Sequence, residues 1–236
     1  MIWNFQSLQC ASTPKQLAIS AVTKSMFKRF IPTLHLILIA CTLTALPAFG
    51  AENRLQVRWV ADGDTIVLTG GERVRYAGIN APEVAHDGEI GEPYGEEARR
   101  FNQKLVLGRW LNLELAEEPR DHYGRLLAYV FLEDGTFVNG ELVHQGYAHL
   151  MHGRSRVRYW QRMLNLQRRA LKEKKGMWSL PVAKPEKFYL GNKRSWVFHR
   201  PHCQFGLQTA GHNRVIFESR YEALYQGFSP GRRCKP

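Results

Sequence analysis

Cysteine is scarce, four in 236 residues with two of them before position 50, which excludes a disulfide-framed miniprotein. No internal repeat or low-complexity segment stands out. Acidic residues are missing from the first 50 positions and number only four over 154–236. Across the chain, 33 Lys and Arg face 21 Asp and Glu, a formal charge of +12 that favours polyanionic partners, nucleic acid or an acidic membrane surface. With 44% hydrophobic and 23% charged residues the chain can bury a real core, so it is no disordered tail. One main domain with an accessory piece is expected.

The charge is unevenly spread. Residues 51–153 hold 10 basic and 17 acidic residues, a balance of −7, and residues 154–236 hold 19 basic and four acidic, a balance of +15. An electrostatic docking surface belongs in the last third, and metal chemistry in the acid-rich part.

Lys28 and Arg29 precede an apolar run from Phe30 to Phe49 that ends in Ala48-Phe49-Gly50. This is the layout of a secretory signal over residues 1–50, cleaved after Gly50, and it makes the mature protein periplasmic or secreted. Met26 alone would open a signal of ordinary proportions, so residues 1–25 read as an over-extended start. Two rival readings stand beside it. The run just reaches bilayer length, roughly 20 residues, and Leu38-Ile39-Ala40-Cys41 resembles a lipoprotein cleavage box, although Thr42 to Leu46 is apolar where a polar tether belongs. A lipid or membrane anchor follows only if the signal stays uncleaved or Cys41 is lipidated. Processing after Gly50 leaves Cys203 and Cys234, and an even pair in an exported chain reads most simply as a disulfide.

Leu55 to Val60 and Trp110 to Leu115 alternate apolar with polar, as half-buried strands do, and Val74 to Ile79 and Leu126 to Leu132 read as further strands. Gly70-Gly71 and Asp134-Gly135 are hairpin signals. Short antiparallel strands with tight turns imply a small barrel or sandwich. Helical spacing appears in Ala98, Phe101 and Leu105, then in Val157, Trp160, Leu164 and Leu171. The second of these helices carries Arg158, Arg162, Arg168, Arg169, Lys172 and Lys175, which form either a solvated face or a phosphate-facing surface. Pro181 to Pro185 breaks the pattern, giving a domain over 51–180, a linker over 181–190 and a small module over 191–236.

Asp62-Gly63-Asp64-Thr65 sets two short carboxylates around a turn between strands. Arg75 lies on a strand leading to Asn80-Ala81-Pro82-Glu83, and Asp121-His122-Tyr123-Gly124-Arg125 puts a second Arg at a strand entry. Cleaving a phosphodiester needs such parts: a hard cation on oxygen ligands, guanidinium groups for the phosphoryl charge, and a carboxylate for water. Asp64, Asn80 and the Ala81 backbone carbonyl could hold the cation. Arg75 and Arg125 could serve the phosphate, and Glu83 the water.

From Leu55 to Trp178 the chain resembles the staphylococcal nuclease (thermonuclease) family. The resemblance rests on five motifs in the family's order: Val60 to Thr65, Gly78 to Glu83, Tyr94 to Ala98, Asp121 to Tyr129, and Val138 to Gly146. It implies an α+β fold, an OB-type five-stranded β-barrel with about three helices, and calcium-dependent endonuclease activity on DNA and RNA. Asp64, Asn80 and the Ala81 carbonyl would hold Ca2+, Arg75 and Arg125 would clamp the phosphate, and Glu83 would act on the attacking water. Tyr123, Arg168 and Arg169 would contact substrate, and no stable protein partner is implied. Asn80 departs from the family's usual Asp and predicts a raised metal requirement. His149 and His152 stand where the family tends to have Tyr or Lys, and read as exposed or core-edge groups.

Residues 191–236 are similar to the small metal-binding module of the Ada methyl-transfer repair family. On that module's four-cysteine pattern His199 falls at the first position, Cys203 at the second, Gly231 at the third and Cys234 at the fourth. With so few ligands kept, a Cys203–Cys234 disulfide stapling a small α/β module is the preferred reading. Zinc held by His199, Cys203 and Cys234 with water or His202 is the alternative. For the whole chain an exported calcium-dependent nuclease is the leading expectation. The rivals are a non-catalytic nucleic-acid-binding OB protein with a weakened metal site, and a cell-wall or membrane-surface protein using the basic tail.

Overall fold

Short strands with an irregular register open the described chain, because β1 (Leu55–Asp62) is bulged twice against β2 (Thr65–Leu68). The first bulge leaves Arg58 and Trp59 both exposed, which breaks the simple alternation expected there. The computed structural model describes residues 55–236 except 87, 89, 154, 155 and 183, so the signal and the Cys41 box fall outside the described residues. Among those described, no helix is long and apolar enough to cross a membrane.

The chain is mixed α+β. Strands β1, β2, β3 (Arg73–Tyr76), β6 (Leu126–Leu132) and β5 (Trp110–Arg120) close into a five-stranded barrel in that order. Gly71, at φ 85°, makes the β2–β3 turn that the Gly70-Gly71 pair signals. One pairing differs from the all-antiparallel expectation: β3 runs parallel to β6, Val74 facing Leu126. The connection between them contains helix α1 (Gly95–Val106), and a crossover of that length is what a parallel pair needs. Glu96 and Glu97 in its first turn suit the positive end of the helix dipole. A two-residue ladder, β4 (Ile79–Asn80) with β7 (His149–Leu150), ties the Asn80 turn to the chain after helix α2 (Val138–His144).

Helix α3 (Trp160–Lys172) connects two cores. Met163 and Leu164 pack into the barrel core with Ile66, Tyr76 and Tyr129. About two turns further on, Ala170 and Leu171 join Trp178, Tyr189, Phe198, Phe217 and Phe228 in a second core. That second core belongs jointly to α3 and to a four-stranded sheet, ordered β10 (Arg214–Phe217), β8 (Tyr189–Asn192), β9 (Val197–His199), β11 (Ser229–Pro230). Short helices α4 (Gln204–Leu207) and α5 (Arg220–Tyr225) flank it. β8 begins at Tyr189, inside the stretch 181–190 expected as linker. The described residues form one compact unit.

The joint between barrel and C-terminal sheet is polar as well as apolar. The buried Gln167 accepts from the Leu150 N–H at 2.8 Å and donates to the Leu224 carbonyl at 2.6 Å. Ser229 Oγ donates to the Leu150 carbonyl at 2.8 Å. The His152 ring lies between Trp160 and Trp196, with centroids 3.7 and 4.7 Å away.

Candidate active site and metal centre

Gly63 lets two turns meet. A Cβ there would stand 2.6 Å from that of Ala81 and 2.8 Å from that of Ala98, so only glycine allows the Asp62–Asp64 turn to press against the Asn80–Glu83 turn and α1. Asp64 is buried, and its Oδ2 accepts from the Ala81 N–H at 2.7 Å and pairs with Arg75 Nη2 at 2.9 Å. Arg75, also buried, donates from Nη1 to the Tyr76 and Ile79 carbonyls at 2.7 and 2.8 Å, and from Nη2 to Asn80 Oδ1 at 2.9 Å. Asn80 Nδ2 donates to the Ala81 carbonyl at 3.0 Å.

Above this floor lies an open cleft of about 450 Å³, lined among others by Asp62, Glu83, Arg73, Arg99 and Arg125. Burial, the neighbouring Asp64 and Glu83 charges and a hydrogen bond that the protonated Asp62 donates to Glu83 push the Asp62 carboxyl up to about 8. Burial pushes Asp64 up as well, opposed by Arg75 and the Ala81 N–H and reinforced by Glu83. Carboxylates that raise one another in this way fit a hard cation, which would remove the repulsion.

On the far wall Arg125 Nε and Nη2 both meet Asp121 Oδ2 at 2.7 Å, while Asp121 Oδ1 takes the Tyr123 and Arg125 N–H groups. Burial raises the Asp121 carboxyl, but the bonds from Arg125 hold it net below the usual carboxylate range. Tyr123 is 73% exposed and its ring lies 5.3 Å from the Arg125 guanidinium carbon.

The folded chain thus brings Asp64, Arg75, Asn80, Ala81, Glu83 and Arg125 to one end of the barrel. Asp62 joins them, although the sequence reading gave it no role; its place two residues before Asp64 on one turn was the available signal. Arg168 is elsewhere: its Nε donates to the Tyr225 carbonyl at 2.9 Å and its guanidinium carbon lies 4.9 Å from the Tyr225 ring centre, in the joint with the C-terminal sheet. Arg169 is exposed on α3, and neither residue lines the cleft. His149 and His152 are both partly buried, and burial pushes each imidazole down to about 4.

The disulfide expectation is corrected. Cys203 and Cys234 are free thiols, and each sulfur approaches His199 Nδ1, at 3.6 and 3.4 Å. The module needs no staple, because α3 and Trp178 complete its core. The ligand atoms of His199, Cys203 and Cys234 lie within 4.8 Å of one another, and among the described residues this is the one trio of His, Cys, Asp or Glu that converges so closely. A Cβ on Gly231 would stand 2.5 Å from His199 Nδ1, so the imidazole occupies the space a ligand side chain at 231 would need. Burial pushes His199 down and so keeps it neutral, as a metal ligand must be. One nitrogen and two sulfurs fit zinc and leave a fourth position open. His202 is exposed and outside the trio.

The staphylococcal nuclease homologue family model matches residues 73–180, and the model for the metal binding domain of Ada matches residues 183–236. Thermonuclease of Staphylococcus hyicus is 34% identical over 131 residues, covering 54% of this chain and 77% of the relative. The chain belongs to the staphylococcal nuclease family. Thermonuclease of Staphylococcus intermedius is 41% identical over 95 residues, 39% of this chain and 56% of the relative. SPbeta prophage-derived endonuclease YokF of Bacillus subtilis is 37% identical over 123 residues, 50% of this chain and 41% of the relative. The chain thus spans about half the length of these last two relatives.

Proposed function

We propose that the chain is an exported, calcium-dependent endonuclease that hydrolyses phosphodiester bonds of DNA and RNA from an OB-type barrel over residues 51–180. The observation that carries this reading is the cleft in which Asp62 and Glu83 face Arg125 above the buried Asp64–Arg75 pair. Nuclease and endonuclease relatives support the reaction class. Export rests on the Phe30 to Phe49 run alone.

Asp62, Asp64, Asn80 and the Ala81 carbonyl would hold calcium. When bound, the cation supplies charge neutralisation and Lewis acidity at the phosphoryl group. Glu83, exposed at the cleft, orients a water and accepts its proton as oxygen adds to phosphorus and the P–O bond breaks. Arg125, held by Asp121, donates to the phosphoryl oxygens as charge builds on them. Arg75 favours the ionised form of Asp64 against the burial that raises it and anchors its Oδ2, and Tyr123 offers a ring on which a base stacks. In the C-terminal module His199, Cys203 and Cys234 would hold a zinc ion of structural use.

A second reading, nucleic-acid binding without cleavage, draws on Asn80. Its Oδ1 already takes Arg75 and its amide covers the Ala81 carbonyl, which weakens a calcium site built on both oxygens. The deciding experiment digests single-stranded and duplex DNA with the full chain across a calcium titration. Calcium-dependent cleavage that Arg125→Ala abolishes is expected. Binding without cleavage at any calcium concentration would replace the nuclease by the binding protein.

A further inference from the structure

The last residues of the chain form a strap from the C-terminal module to the barrel. The strap is fixed along its length: Gly231 N–H donates to the Phe198 carbonyl at 2.8 Å, and Lys235 N–H to the Gly231 carbonyl at 2.9 Å. Arg200 holds the Cys234 and Lys235 carbonyls, both at 3.1 Å, and Arg220 holds that of Pro236 at 2.9 Å.

Two cations reach the nuclease end of the barrel from this strap. Lys235 Nζ pairs with Glu92 Oε1 at 2.9 Å, and Glu92 Oε2 accepts the backbone N–H of Glu83 at 3.2 Å. Arg232 Nη2 stands 3.5 Å from both Asn80 Oδ1 and Met151 Sδ. The Arg232 side chain is exposed, and among the described residues no carboxylate pairs with it.

Arg75, on the other side of Asn80, is in the opposite condition. Both of its terminal nitrogens are committed inside the protein, to Tyr76, Ile79, Asp64 and Asn80. Beside Asn80, therefore, the guanidinium with donors to offer an incoming anion comes from the C-terminal module. A planar fork with one weak amide contact and a thioether neighbour suits a phosphate oxygen far better than it suits its present partners.

We infer that Arg232 is a substrate-binding residue of the nuclease site, donating to a phosphate of the nucleic-acid strand beside Asn80, so that the C-terminal module supplies part of the substrate groove. The inference rests on the nuclease reading above and extends it to a segment outside the barrel. Without Arg232 the strand loses one charge contact while Glu83, Arg125 and the carboxylates stay in place.

The test compares the full chain with Arg232→Ala, Arg232→Lys and, as a control in the same module, Arg194→Ala. Binding of a fluorescent single-stranded DNA is measured without calcium over a salt series, and KM and kcat are measured with calcium. Arg232→Ala is expected to lower the slope of log affinity against log salt by about 0.7, as loss of one phosphate contact on a single strand does. Its KM should rise about tenfold with kcat within about threefold. Arg232→Lys should restore the slope but only part of the KM, and Arg194→Ala should match the parent. A slope and KM equal to those of Arg194→Ala would overturn the inference, as would a lowered melting temperature with an unchanged slope. If the parent binds but never cleaves, the nuclease reading fails while the salt slope still decides the contact.

Discussion

Asp62 and Glu83, on the two turns that Gly63 allows to meet, line one cleft at the mouth of the barrel, and the Glu83 carboxylate helps raise the Asp62 carboxyl. Burial and that neighbouring carboxylate make the Asp62 carboxyl hold its proton, and the pH dependence of the fold should report it. The Asp62 carboxyl is raised from 3.8 to about 8 in the folded chain. A raised folded value means that this group's stabilising contribution is complete below about pH 4 and is lost as pH climbs toward about 8. Calcium cancels the repulsion, so its effect should grow with pH. We expect calcium to raise the melting temperature more at pH 8 than at pH 5, and Asp62→Asn to remove most of that difference. Equal calcium shifts at both pH values would contradict the shared cation site.

Asn80→Asp adds an anionic oxygen beside Asp64 and between Arg75 and Arg232. The calcium concentration for half-maximal cleavage should fall several-fold, roughly three to ten, because ligand charge helps set calcium affinity. A calcium titration of cleavage rate checks this, and no change or a rise would count against Asn80 as a ligand position.

Gly63→Ala drives a methyl group into Ala81 and Ala98. Overpacking of this kind costs about 1–3 kcal/mol, and the displaced turn carries Asp62 and Asp64 with it. Urea denaturation should show the loss in stability, and cleavage should fall by more than stability explains. A variant with parental calcium response would mean that the close approach matters only for packing.

The His199 trio predicts one zinc per chain and two thiols protected from a disulfide-forming reagent until a chelator is added. Cys203→Ser, Cys234→Ser and Gly231→Ala should each lose the metal, the last because its Cβ displaces the imidazole. Elemental analysis and thiol titration measure both. A mass 2 Da below the reduced value, with no zinc, would restore the disulfide.

His152 is held neutral between Trp160 and Trp196, its Nε2 buried without a partner. Its folded pKa, pushed down to about 4, lies below the usual 6.5, so stability is lost as pH falls from about 6.5 toward 4. This slope opposes that of Asp62, and His149, pushed down to about 4 as well, adds to it, so the His152 share is read from the difference between parent and His152→Phe. Tryptophan emission should change over that window in the parent and not in His152→Phe.

Much of the barrel end was legible because its chemistry sits on short ordered motifs. Asp64, Glu83 and Arg125 each stand on a turn whose neighbours fix the backbone, and spacing within a turn survives folding. Long-range placement was not legible. Arg168 reads as a free cation on an amphipathic helix, and only the docking of α5 turns it into an interface residue. The parallel β3–β6 pair depends on where α1 crosses, which no alternation reveals. The free thiols are not legible either, because Gly231 reads as a lost ligand, whereas the imidazole at 199 fills the space left by that glycine, a compensation between residues 32 positions apart.

Gln167 carries one further consequence. Its carbonyl serves Leu150 of β7, beside the barrel, and its amino group serves Leu224 of helix α5 in the C-terminal module, two ends of one side chain that cannot exchange roles without leaving both partners facing the wrong polarity. A single amide thereby acts as a directional key between two architectures. A foreign domain grafted onto α3 would need to present a carbonyl at this one point, and a natural recombinant that failed to do so would carry a mismatched dipole sealed in its seam.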